Sequence, residues 1–93
     1  MTPINKGDTL YIPVEIGDGA FLGERLITFE TLEGPISGFI KNDQVINRGD
    51  ISFVEAKVVD IDSNRFAIRL HGSFFTTTGL AHISNESRYE RAA

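Results

Sequence analysis

The chain has 93 residues, no Cys, two His, and 13 acidic against nine basic side chains, for a net charge of −4. That length fits one domain, 1–93, and the absence of Cys excludes a disulfide framework or a Cys-based metal site. The acidic balance lacks the bulk field that drives non-specific nucleic-acid binding, and no apolar stretch approaches the roughly 18 residues of a membrane-spanning helix.

No Lys/Arg-led apolar run opens the chain, so no secretory leader is expected. The lack of Cys suits a reducing, cytoplasmic setting. Charge is unevenly spread: residues 1–46 carry three basic and seven acidic side chains, whereas residues 47–93 carry six of each.

Taken in chain order, the apolar pattern has period two rather than 3.6. Asn5-Lys6-Gly7-Asp8 forms a turn ahead of a first strand, 9–16, in which Leu10, Ile12, Val14 and Ile16 alternate with polar or exposed positions. Pro13 lies inside that strand and lacks an N–H, which predicts an edge or a bulge there. Gly17-Asp18-Gly19 turns the chain into a second strand, 25–32, carrying Ile27 and Phe29; Glu33-Gly34-Pro35 then leads to a third, 35–40. Asn47-Arg48-Gly49-Asp50 opens a fourth strand, 51–61, with Val54, Ala56 and Val58 on one face. Asp62-Ser63-Asn64 separates it from a fifth, 65–71, in which Phe66, Ile68 and Leu70 oppose Arg65, Ala67, Arg69 and His71. After His71-Gly72-Ser73 a sixth strand, 74–82, is expected, and the polar tail 84–93 should form one helical turn or fray. The expected core is Ile12, Val14, Ile16, Ile27, Phe29, Val54, Val58, Phe66, Ile68 and Leu70.

The first and fourth strands start alike. Asn5-Lys6-Gly7-Asp8 aligns with Asn47-Arg48-Gly49-Asp50 at an offset of 42, and Tyr11, Ile12 and Ile16 fall on Phe53, Val54 and Val58. Ile27-x-Phe29 aligns with Phe66-x-Ile68, and Ile40-Lys41-Asn42-Asp43 with Ile83-Ser84-Asn85-Glu86. A tandem repeat of about 42 residues follows, with copies 5–46 and 47–88. Three short strands cannot bury a face alone, but two copies can. The fold class expected is therefore all-β: a small six-stranded barrel or sandwich with pseudo-twofold symmetry. The Gly-Asp pair before each leading strand resembles the GD-box of the cradle-loop barrels, a group that includes double-psi barrels and the swapped-hairpin fold of some bacterial transcription regulators. That resemblance implies a barrel and does not choose a function.

The chemistry-bearing patterns are sparse. Asp60-x-Asp62-x-Asn64 has the opening spacing of a calcium loop, but Arg65 stands where the loop needs Gly and His71 where it needs Glu. A polar hairpin turn explains the run. His71 and His82 lack the further ligands of a zinc site, and no nucleophile motif or phosphate-cradling glycine run occurs. Arg48-Gly49-Asp50 is accounted for as a turn. No metal and no cofactor are expected. The most unusual segment is 72–79, where the second copy is longer: Phe74, Phe75, Thr76, Thr77 and Thr78 lie between two glycines. With Arg69 and His82 beside it, this segment is the expected binding site, because exposed aromatics make interface anchors. Arg65, Arg69 and His71, with Lys57 and Phe53 nearby, form the alternative, a phosphate-binding and base-stacking face.

These patterns favour a non-catalytic binding or assembly module for a protein or small-molecule partner. The alternatives are a nucleic-acid-binding β-barrel, such as a transcription regulator, and an enzyme subunit whose site a partner chain completes. A membrane partner is not expected, and homo-oligomerisation is left open by the sequence.

Overall fold

The computed structural model describes residues 3–19, 21–70, 73–74 and 80–91. Nine strands make up the described fold: β1 (Thr9–Asp18), β2 (Glu24–Thr31), β3 (Gly34–Lys41), β4 (Val45–Arg48), β5 (Ile51–Asp62), β6 (Arg65–Leu70), β7 (Ser73–Phe74), β8 (Leu80–Ser84) and β9 (Glu90–Arg91). A single 3-10 turn, Asn42–Gln44, joins β3 to β4, and no α-helix occurs among the described residues. The strands form one antiparallel sheet in the order β7-β3-β2-β1-β5-β6-β8, with β4 beside β5 and β9 beside β1. This sheet curls into a half-barrel, so the fold is a bent single layer rather than a sandwich of two.

β1 is the strand on which the curl turns. Its first half, Thr9–Val14, pairs with β5, and its second half, Glu15–Asp18, pairs with β2. Asp8 and Val58 begin the β1–β5 ladder: Val58 N donates to Asp8 O at 2.9 Å, and Gly7 N donates to Val58 O at 2.8 Å. Hydrogen-bonded pairs alternate along an antiparallel ladder. Ile12–Val54 and Val14–Ser52 therefore bond, and the Pro13 nitrogen faces away from β5. No donor is lost from that ladder, which is why Pro is tolerated at this position.

The concave face is the core. Leu10, Ile12, Ile27, Ile40, Val54, Val58, Ile68 and Ile83 are almost fully buried, with Phe29, Phe66 and Leu70 packed among them. Cross-strand partners share a face, and the register sets them against one another: Ile12 opposite Val54, Val58 opposite Ile68, and Phe66 opposite Ile83. A bulge between Val58 and Asp60 changes the parity of β5. Beyond it Ile61, opposite Phe66, turns to the core, while Asp60 and Asp62 stay in solvent. Without the extra residue the strict alternation would carry both carboxylates inward.

Two glycines are dictated by geometry. A Cβ on Gly19 would lie 2.3 Å from the Glu24 carbonyl oxygen, so only Gly lets the β1–β2 hairpin close. Gly34 has φ +102°, which L side chains rarely adopt, and it ends the β2–β3 turn where Thr31 Oγ1 donates to its carbonyl at 2.7 Å.

The structure corrects several expectations. The tail does not form a helical turn. Glu90–Arg91 pairs with Leu10–Tyr11, because Arg91 reaches Asp8 at 3.3 Å, Glu90 accepts from Arg48 at 2.9 Å, and Tyr89 packs edge-on to Phe66. β4 is an additional strand, and the expected sixth strand is present as β7 and β8, with 75–79 outside the described residues. Ile16 is 37% exposed and Val14 half-buried: Ile16 lies beyond the end of the β5 ladder, and Val14 is the last β1 residue paired in it, at the margin of the core. Phe53 is buried, but on the convex side, with the Arg48 guanidinium 5.6 Å from its ring and 5.1 Å from that of Tyr11. Finally, the two Asn-x-Gly-Asp segments turn differently. In the first, Asp8 N donates to Asn5 O at 3.1 Å; in the second, Gly49–Asp50 is a two-residue turn between paired Arg48 and Ile51.

Phe29 and Ile16 separate core from margin in a direct measurement. Phe29→Ala should destabilise the fold by about 3–5 kcal/mol, as large core truncations do, whereas Ile16→Ala should cost about 1 kcal/mol or less. Urea unfolding of both variants checks the contrast.

Candidate functional site

A groove of about 810 Å³ opens where β1 and β2 part. Their ladder runs from Asp18–Arg25 to Glu15–Thr28 and goes no further. Beyond it, residues 12–14 of one strand and 29–32 of the other diverge, and the groove lies between them. Asp50 and the first two residues of β5, Ile51 and Ser52, line one end, placed by the tight Gly49–Asp50 turn and by Ser52 Oγ donating to Asn47 Oδ1 at 2.8 Å. The third wall is Glu86–Arg88. A turn holds it there: Ser87 N donates to Ser84 O and Ser84 N donates to Ser87 Oγ, both at 3.0 Å.

The groove is apolar between acidic margins. Pro13, Val14, Ile16, Phe29, Leu32 and Ile51 contribute apolar surface, and Leu32 and Ile51 are 47% and 44% exposed. Glu15, Glu30, Asp50 and Glu86 stand around them against one cation, Arg88. None of these five has an ion-pair partner among the described residues. A concave apolar surface with a few charged groups is the usual form of a binding site. No polar or charged side chain is buried among the described residues, and no three His, Cys, Asp or Glu are grouped to hold a metal ion. The arrangement can hold a ligand by contact and charge. A second apolar feature, Phe21 and Leu22 on the β1–β2 hairpin tip, is 76% and 106% exposed.

The residues singled out from sequence are only partly brought together. Arg69 lies exposed on β6, opposite Lys57 on one side and Leu80 on the other. The Phe74 backbone pairs with Gly38 of β3, whereas the Phe74 side chain, Phe75, Thr76, Thr77 and Thr78 lie outside the described residues, as does His71. His82 is a structural contact. Its Nδ1 sits 3.1 Å from Glu33 Oε2, its N–H donates to Glu33 Oε1 at 3.1 Å, and its carbonyl accepts from Leu32 N at 2.8 Å. Arg65 reaches the same carboxylate at 3.7 Å, so Glu33 fastens the β2–β3 turn to β6 and β8. In the calcium-like run, Asp60 is 3.7 Å from Lys6 and accepts from Ile61 N at 2.9 Å. Phe53 lies under Arg48, covered rather than presented for stacking.

Sequence reasoning missed the groove. Val14 and Ile16 sit in an alternating run that reads as core. The one local signal was Pro13, which marks where β1 has a strand ladder on the β5 side only. Compared with known proteins, the chain matches no family, no curated protein and no solved structure.

The Glu33 contact can be tested alone. Its partners are about half exposed, so Glu33→Ala should cost about 1 kcal/mol or less globally. The local effect should be larger: amide exchange at Leu32 and His82 should accelerate while core amides of β5 and β6 keep their protection. Residue-resolved hydrogen exchange reads both.

Proposed function

We propose that the chain is a non-catalytic binding or assembly module and that the β1–β2 groove is where its partner sits. The observation that carries this reading is the exposure of Leu32 and Ile51 at one concave, acid-rimmed site. Exposed apolar side chains gathered around one cavity, rather than scattered singly, are the form a binding surface takes. The scaffold is proposed to be a tandem duplication of a unit of about 42 residues, with pseudo-twofold symmetry. Two observations support this. β3-β2-β1 and β5-β6-β8 are meanders of opposite sequence order on either side of the central ladder, and Ile12 and Val54, equivalent under the offset, face each other within it. The differing turns at Asp8 and Asp50 count as divergence between the copies.

A second reading, binding of nucleic acid or another polyanion, has one observation in its favour. Lys57 and Arg69 stand directly opposite each other on exposed positions with no ion-pair partner among the described residues. Like charges opposed across a ladder are destabilising, so a bound anion would relieve them. The two readings use different parts of the sheet and opposite charge.

A partner recovered from the native cell by the full-length chain should be lost when the groove is made polar. Leu32→Ser with Ile51→Ser changes only exposed side chains, so the fold should persist by circular dichroism. The purified partner should then bind the double variant at least about tenfold more weakly, as loss of interface anchors does. Full affinity in the folded double variant would sink the groove reading. Loss of affinity on replacing Thr76→Ser, Thr77→Gly and Thr78→Ser instead would move the site to the 72–79 segment with Arg69 and His82. Loss only with Lys57→Ser and Arg69→Ser would favour the polyanion.

A further inference from the structure

The groove has a shape and a charge that specify its occupant more closely; this step rests on the groove being the binding site. Five residues of β1, 12–16, and the segment 28–32, the last four residues of β2 with Leu32 of the turn after it, line it along the strand direction. At a strand rise of about 3.3 Å per residue the trough is roughly 16 Å long, the span of a short extended peptide. Its charged margin comprises four carboxylates and one guanidinium, a net of −3. We propose that the occupant is an extended segment of a partner protein, about five residues of it in the groove, with Lys or Arg alternating with apolar side chains.

An alternating segment suits a lining in which apolar and acidic side chains are mixed. An extended chain sends successive side chains to opposite faces. Apolar residues can then pack on Val14, Leu32 and Ile51 while their neighbours reach Glu15, Glu30, Asp50 or Glu86 at the margins. The sign of the charge argues against the other macromolecules. A nucleic acid or an anionic lipid surface would meet these carboxylates with its own phosphates. A second copy of the chain carries −4 overall, and its most exposed apolar segment, Phe21–Leu22, is bracketed by Asp18 and Glu24. Docking that segment in the groove would set acid against acid.

Recognition should run through side chains more than through an added strand. Pro13 offers no N–H on the side of β1 that faces away from β5, so a peptide laid along β1 finds an interrupted row of donors. That distinguishes this groove from sites that work by strand addition, where main-chain bonds supply the affinity.

The test is selection from a displayed library of fully randomised ten-residue peptides against the immobilised full-length chain. Enriched peptides should carry Lys or Arg beside Val, Leu, Ile or Phe. Their binding should weaken several-fold between low and physiological salt. Glu15→Gln and Glu30→Gln should each weaken a selected peptide by roughly two- to fivefold, the range of exposed ion pairs, and Leu32→Ser with Ile51→Ser should abolish enrichment. Enrichment of acidic or purely apolar peptides, no enrichment at all, or equal binding by the Gln variants would overturn the proposal. The outcomes also separate it from the broader reading. If no basic peptide enriches but the double Ser variant still loses the native partner, the occupant is wrong and the site right. If basic peptides enrich equally on the double Ser variant, the groove is not the site.

Discussion

The architecture depends on β1 serving two partners in succession. Up to Val14 it belongs to β5; from Glu15 it belongs to β2. A flat sheet would let it keep both neighbours along its whole length. Here the neighbours are engaged one after the other, so the sheet must turn through β1, and that turn brings β2 and β3 over the face that β5, β6 and β8 also present. Leu10 and Ile12 sit before the change of partner and are almost wholly buried, as are Ile27 on β2 and Val54 on β5. Each such side chain contributes roughly 1.5–3 kcal/mol when removed from water. They come from both arms of the sheet and meet only because it bends. Pro13 is compatible with this bend because its missing donor costs the β5 ladder nothing.

A bent sheet still has to be kept from opening, and small contacts at its ends do this. Glu33, at the tip of the β2–β3 turn, takes the His82 N–H and approaches the His82 ring and Arg65. One carboxylate thereby ties the outer turn of one arm to the last strands of the other. On the convex side Arg48 covers Tyr11 and Phe53 while pairing with Glu90, which links β4 and β9 through a single guanidinium. These contacts are half exposed and individually weak. Their effect lies in placement, since each joins segments far apart in sequence.

Much of this fold was legible in the sequence because period-two patterning reports directly on a half-buried strand. The strands expected at 25–32, 35–40, 51–61 and 65–71 match β2, β3, β5 and β6 closely. Eight of the ten expected core residues are buried; the exceptions are Val14 and Ile16. Those two share a cause with the unforeseen groove. Whether Ile16 lies in the core depends on which strand flanks β1 at that point, which the local pattern does not encode. The bulge before Asp60 is likewise set by tertiary demand, keeping two carboxylates in water. β4 and β9 were missed because Val45–Arg48 and Glu90–Arg91 have no clean alternation; β4 is short and brings only Val45 against the core, and β9 is held through Glu90 and Arg91. Of the residues expected to bind, His82 draws attention in the sequence as one of two histidines, yet its contacts to Glu33 explain it structurally.

The groove and Pro13 are two consequences of the same local geometry. Along residues 12–14, where β1 is paired with β5 and not yet with β2, its outer side would present a short sheet edge beside half-buried Val14 and exposed Leu32. An edge next to apolar side chains is a template for pairing with other chains. Proline at the centre of that stretch interrupts the row of donors without weakening the ladder on the inner side. The carboxylates of Glu15 and Glu30 act in the same direction, because two copies approaching through this region would bring like charges together. Apolar surface is thus kept accessible while self-association through it is opposed by both backbone and charge. A folding requirement alone would have been met by covering that surface. Guarding it while leaving it open is what the proposed binding of a partner of opposite charge would require.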